Sequence, residues 1–407
     1  LVDDHLFLAN SLRTSPPPTH PTPMRRIVVL GGGFAALNAV QRLEEVLEGR
    51  RHIELTLLTD RSHFVYTPLL PHVVSGTVDV TDIAIGFEEM LADETTIRVE
   101  TIASLEPQDR SIRTEEGDLE FDYLIFAPEG VIDWGETSSC RSHTVPFDSP
   151  TDAASLRGRL DEIGETRGEP PARVAIVGGG RTGVELAAEI RRSYPPDETS
   201  DPIDLTLIER RSEILGRLPD ALQSTCHNWL AGAGIDIRTD STVATCRDGR
   251  LEFDDRDSID VDTAIWCGGW SPPDLVDAFG PGATNAGRID VDPYLHVTGM
   301  SYIFAAGIAV APDESRTRRV AREARQGRLA ADNLVAELSG RTPTAWTADE
   351  SSWLISLGAN EAVAYKNGTT LTGRAAWAFY RFVHTSLMPG ALAKAGLLRS
   401  WFQEGFS

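Results

Sequence analysis

The 407-residue chain carries 61 acidic and 38 basic residues, a formal charge of -23, and Lys366 and Lys394 are its only lysines. Such a surface repels phosphate backbones, which argues against nucleic-acid binding. A lysine-poor acid excess also keeps proteins hydrated and apart in concentrated salt, so a halophilic source is expected, and the length calls for two or three domains.

Cys140, Cys226, Cys246 and Cys267 are scattered, with no Cys-x-x-Cys pair and no histidine at ligand spacing. This argues against a metal site, a dithiol centre or a disulfide framework, and predicts buried thiols in a reducing cytoplasm. No apolar run is long enough to span a bilayer and no cleavable signal peptide is evident.

In chain order, residues 1–23 are proline-rich (Pro16, Pro17, Pro18, Pro21, Pro23) and read as a disordered tail, with Met24 as the expected natural start. A βαβ unit follows. Ile27, Val28, Val29 and Leu30 form a strand, Gly31, Gly32 and Gly33 a turn, and Phe34, Ala35, Ala36 and Leu37 open a helix. Its next strand covers residues 53–58, and 122–127 read as a further buried strand. After a helix at 151–163 the unit repeats: Val174 to Val177, then Gly178, Gly179 and Gly180, then Arg181, Thr182 and Gly183, with a next strand at 203–208. Residues 263–267 and 302–307 read as buried strands and 319–338 as a long amphipathic helix. Residues 353–364 alternate like a small sheet.

A glycine turn between strand and helix lets the backbone approach a diphosphate, and the helix start supplies free N–H groups. The second turn is complete (Gly178, Gly180, Gly183), and its next strand ends on Glu209, placed to accept both ribose hydroxyls of NADH. Arg210 and Arg211 keep NADPH open as an alternative. In the first turn Ala36 replaces the third glycine, and Thr59 falls where Glu209 stands in the repeat. Asp60 is the candidate ribose contact, with an ordinary loop aspartate as the alternative.

Together with Phe64 to Leu70, Val73 to Gly76, Gly183 to Ala187, Ile265-Trp266, Pro272-Pro273 and Val291 to Leu295, these motifs resemble type II NADH dehydrogenases of the two-dinucleotide-binding flavoprotein superfamily. The resemblance covers nearly everything from Met24 onward. It implies an α/β fold of two Rossmann-like domains, an FAD domain (24–148 and 285–340) interrupted by an NAD domain (149–284). A small C-terminal α+β region with amphipathic helices (341–407) completes it. It further implies hydride transfer from NADH to FAD, electrons passing to a membrane quinone, and a peripheral seat on the cytoplasmic membrane face.

The implied cofactor residues are Gly31, Gly33, Phe34, Ala35, Ala36, Asp60, Ala127, Gly307 and Ile308 for the flavin. For the nicotinamide they are Gly178, Gly180, Arg181, Thr182, Gly183, Glu209 and Gly268. Glu185 is the polar residue expected nearest the nicotinamide–flavin contact, with a carboxylate stabilised in a helix first turn as the alternative. Three positions depart from the family pattern, all at the flavin: Pro128-Glu129 in the turn after Ala127, Ile308 in place of an acid, and Val320 to Glu323 in place of an Ala-Gln start. The absence of a cysteine after Cys267 argues against a sulfide:quinone reductase. A flavin-deficient, non-catalytic nicotinamide-binding regulator or scaffold is the competing reading.

Residues 371–407 hold Arg374, Arg381, Lys394 and Arg399 against Glu404, with Trp377, Phe379, Tyr380, Phe382, Trp401, Phe402 and Phe406. Aromatic bodies with cationic heads suit a membrane interface. Pro389-Gly390 should split the segment into two helices. A helix packed on the core or in a homodimer is the alternative.

Overall fold

The computed structural model describes residues 24–404 except 51, 167–169, 197–200, 312–319, 349–351 and 359. The expected tail at 1–23 and Phe406 lie outside the described residues.

The first sheet grows from β1 (Arg25–Leu30), α1 (Phe34–Leu47) and β2 (Ile53–Thr59). A one-turn helix α2 (Leu70–Val74) precedes the parallel strands β3 (Thr96–Val99) and β4 (Tyr123–Phe126). Residues Ile27 to Leu30 are buried without alternation, because a parallel sheet is covered on both faces.

The chain then crosses into a second parallel sheet: β5 (Val145–Pro146), α3 (Pro150–Thr166), β6 (Ala172–Val177), α4 (Arg181–Ser193), β7 (Ile203–Ile208), β8 (Asp236–Arg238) and β9 (Thr263–Trp266). Its order is β5-β9-β6-β7-β8. Val145 pairs with Ile265 at the edge of this second sheet. The chain returns through β10 (His296–Val297) and β11 (Met300–Ala305), completing the first sheet as β10-β11-β4-β1-β2-β3. Helix α5 (Val320–Leu338) lies against α1 so closely that a Cβ on Gly327 would stand 2.0 Å from the Ala35 carbonyl oxygen.

One cysteine expectation is corrected. Cys140 and Cys246 form a disulfide across 106 residues, tying the segment before β5 to a strand (Val243–Arg247) of a separate three-stranded antiparallel sheet. Cys226 is a buried thiol, as expected.

The C-terminal region is an antiparallel sheet of β12 (Ser352–Ser356), β13 (Ala362–Lys366) and β14 (Thr369–Thr372), then α6 (Gly373–Leu387) and α7 (Ala391–Glu404). The helices break at Pro389-Gly390 as the sequence indicates, Gly390 sitting at φ +76. Tyr380 and Trp401, read as interfacial aromatics, are core residues at 1% and 4% exposure. Arg381 is no free cation either. Its guanidinium covers the Trp377 ring at 3.4 Å and donates to the Trp401 carbonyl at 2.8 Å, clamping α6 to α7.

Candidate functional site

The second glycine turn is built by close backbone approach. Gly178 adopts φ +117, and a Cβ there would stand 2.2 Å from the Cys267 carbonyl oxygen. A Cβ on Gly183 would meet the Gly178 carbonyl oxygen at 1.9 Å, so α4 can lie on the turn only without that side chain. Gly180 caps α4 and is exposed, and the first helical turn contains no acid. Free N–H groups and the positive dipole end therefore face outward, the arrangement a diphosphate needs. Glu209 is held by the Gly179 and Arg211 amides, each donating to one carboxylate oxygen at 2.9 Å. Lone pairs remain on both oxygens for ribose hydroxyls.

The first turn repeats this construction. Gly31 adopts φ +130 with its absent Cβ 2.0 Å from the Ala127 carbonyl oxygen. Thr59 takes Glu209's place: the Arg61 amide donates to its hydroxyl at 3.3 Å, and that hydroxyl lies 2.7 Å from where a Gly32 Cβ would stand. Asp60 points outward, 65% exposed and 3.7 Å from the Arg61 guanidinium. Phe34, opening α1, packs edge-on against Phe64 and Tyr66. Both turns thus have the glycine cradle, and neither helix has an acid within its own first turn, so the residues fit both cofactors, the first once the Glu129 side chain lying over Gly32 and Gly33 moves aside.

A single cavity of about 1870 Å³ runs from Gly178, Gly180, Arg181 and Glu209 past Gly268 and Trp270. It continues along Gly307, Ile308 and the start of α5 (Val320 to Glu323), and ends on Phe379, Val383, His384 and Leu387 of α6. Of the sequence-derived residues, Gly31, Gly33, Phe34, Ala35, Ala36, Asp60, Ala127, Thr182, Gly183 and Glu185 do not line it.

Glu185 is one turn into α4, not in its first turn, so the dipole alternative does not account for it. It is 3% exposed, and holds Arg181 at 3.3 Å and accepts from the Ser356 amide at 3.1 Å. Burial pushes its carboxyl up, opposed mainly by Arg181. Arg181 is what the cavity meets.

Three contributors escaped the sequence reading. Gln326 accepts from the Gly307 amide at 3.0 Å and fixes the backbone beside Ile308. Its signal lay in the flagged helix start, one turn beyond Glu323. Arg288 lines the cavity and donates to the Ile308 carbonyl; burial and then Arg322 hold its guanidinium below the usual range.

The third is a buried polar network joining all three regions. His72 of α2 pairs with Glu189 of α4 at 2.9 Å and bonds Tyr380 at 3.1 Å, while Tyr66 bonds His384 at 3.0 Å. Burial and then Arg181 hold His384 well below the ordinary histidine range, so it is a neutral imidazole at pH 7.

A carboxylate cluster also adjoins the first turn. Burial, then Asp152, raise Asp148 from 3.8 to about 6. A raised acid costs stability once ionised, so the protein should lose stability between about pH 4 and pH 6. Asp148→Asn is expected to gain about 1 kcal/mol at pH 7, discounted for partial exposure. Urea unfolding at pH 7 and pH 4 checks this: the gain should vanish at the lower pH.

Two sheets with parallel cores, each with a strand followed by a glycine turn and helix, define a two-Rossmann architecture. The chain belongs to the pyridine nucleotide-disulphide oxidoreductase family, which matches residues 25–327. Among its relatives, demethylphylloquinone reductase NdbB of Synechocystis is 28% identical over 89% of this chain and 92% of that protein. The type II NADH:quinone oxidoreductase of Staphylococcus epidermidis is 21% identical over 94% and 98%. In fold, NDH2 from Plasmodium falciparum, solved with NADH, superposes with TM-score 0.83 at 16% identity, covering 94% of this chain and 98% of that one. The sulfide:quinone oxidoreductase of Aquifex aeolicus superposes at 0.75 with 18% identity and 94% coverage of both.

Proposed function

We propose that the protein is a flavin-dependent oxidoreductase that takes a hydride from NADH and passes electrons to a quinone. The observation carrying this reading is the single cavity that connects the NADH turn, the Gly307–Ile308 edge of the flavin unit and the apolar face of α6. The quinone reductases among its relatives support the acceptor class. FAD, when bound, supplies the two-electron acceptor between nicotinamide and quinone.

The chain's own residues bind and orient. Gly178, Gly180 and the α4 start take the NADH diphosphate, with Thr182 and Gly183 shaping that start, Glu209 taking the ribose and Gly268 leaving room beside it. Gly31, Gly33, Phe34, Ala35 and Ala36 shape the flavin end, with Ala127, Gly307 and Ile308 alongside. Glu185 acts through Arg181 as a positioning residue. His384, neutral at the acceptor end and bonded to Tyr66, can hand on the one proton that quinone reduction by NADH draws from solvent. The test is NADH oxidation with a short-chain quinone in concentrated salt. Turnover that needs both FAD and the quinone is expected; NADH oxidation indifferent to either would sink the reading.

The C-terminal helices offer the membrane contact. Phe382, Leu392 and Phe402 are 66%, 78% and 68% exposed, with Phe379, Leu387 and Leu398 also outward. No helix among the described residues is long and apolar enough to cross a bilayer. Apolar side chains beside Arg374, Lys394 and Arg399 suit peripheral binding to anionic lipid on the cytoplasmic face. The protein should float with anionic vesicles, and truncation after residue 370 or a triple Phe382→Ser, Leu392→Ser, Phe402→Ser variant should sink. A wild-type protein that stays unbound and runs as a dimer would assign this face to a second copy instead.

A further inference from the structure

The two turns are built alike but covered differently. Gly31, Gly32 and Gly33 are all buried, whereas Gly180 of the second turn is exposed and Gly178 half-buried. The cover is Glu129. Its Oε2 lies 3.3 Å from where a Gly32 Cβ would stand, and its Cγ lies 3.1 Å from the same point on Gly33. The side chain is 14% exposed, and Arg61 holds Oε2 at 3.1 Å.

The repeat supplies an internal control. Ala127 and Cys267 occupy the same place, each presenting its carbonyl to the first glycine of its turn. Counting on, Pro128 matches Gly268 and Glu129 matches Gly269. A Cβ on Gly180, the counterpart of Gly33, would meet nothing within 4 Å, so the second turn keeps open space where the first holds the Glu129 side chain. Pro128, with its Cα 3.1 Å from the Gly31 Cβ position, fixes the backbone that delivers it. A carboxylate and a diphosphate are both anions suited to the N-terminal end of α1, and they cannot share it.

We infer that Glu129 occupies the diphosphate subsite of the first turn as an internal competitor, so that FAD binds only when this side chain moves aside and is held exchangeably. Arg61, the partner Glu129 leaves, is then free to meet the incoming phosphates. The inference rests on the first unit being a flavin site, as proposed above.

The experiment strips flavin from the wild type, Glu129→Gln and Glu129→Gly, then titrates FAD by its fluorescence in concentrated salt. NADH affinity is measured on the same samples to check that the fold is intact. Both variants should bind FAD about tenfold more tightly than the wild type, about 1.4 kcal/mol, with NADH affinity unchanged. Equal FAD affinity in all three proteins overturns the inference. Bleaching of the bound flavin by NADH separates the two claims. Tighter FAD without bleaching in any protein sinks the enzyme reading alone, and equal affinity with normal bleaching sinks the internal competitor alone.

Discussion

Gly183→Ala is expected to weaken NADH binding about a hundredfold, because a shift near 1 Å in a positioning element can cost about that factor. The added methyl carbon would stand 1.9 Å from the Gly178 carbonyl oxygen and 3.4 Å from Ile176. Neither neighbour can yield: Gly178 is already pinned under Cys267, and Ile176 is a core residue of β6. The start of α4 must therefore lift off the turn, and its amides lose their aim at the diphosphate. FAD binding at the first turn serves as the internal reference. NADH affinity within threefold of wild type, with FAD binding intact, would show that α4 does not depend on this contact.

The second large effect concerns stability. Glu189 is 2% exposed, pairs with His72 at 2.9 Å and Arg192 at 3.4 Å, and so joins α4 to α2. Burial alone would push its carboxyl up, yet His72 and then Arg192 hold it at about 2. Removing one member of a buried pair leaves the other charge uncompensated and typically costs about 3–5 kcal/mol. Glu189→Gln should lose about that much in urea unfolding, and salt should rescue little, since buried pairs are weakly screened. The sign with pH follows from a depressed acid. Its stabilisation is present above the ordinary value of 4.5 and is lost as pH falls toward 2, so wild type and variant should converge there. A loss under 1 kcal/mol at pH 7 would mean that the pair is structurally idle.

What the sequence disclosed is what lies close along the chain. The glycine turns, the strands beside them and Glu209 are local, and the alignment of Thr59 with Glu209 reappears in space as matched contacts with Gly32 and Gly179. The disulfide was illegible because Cys140 and Cys246 meet only after the second sheet folds. The network of Tyr66, His72, Glu189, Tyr380 and His384 draws on residues as many as 318 positions apart. Composition marks the C-terminal segment as aromatic and cationic but does not tell Tyr380, which faces inward, from Phe382, which faces solvent. Glu129 was visible as a departure from the family turn, but that it lies over Gly32 and Gly33 required the fold.

The most direct test of the two-cofactor account is the visible spectrum of FAD-loaded protein in concentrated salt, recorded without oxygen before and after adding NADH. The account predicts that NADH bleaches the flavin band and that a short-chain quinone restores it. A flavin band unchanged by saturating NADH would contradict it.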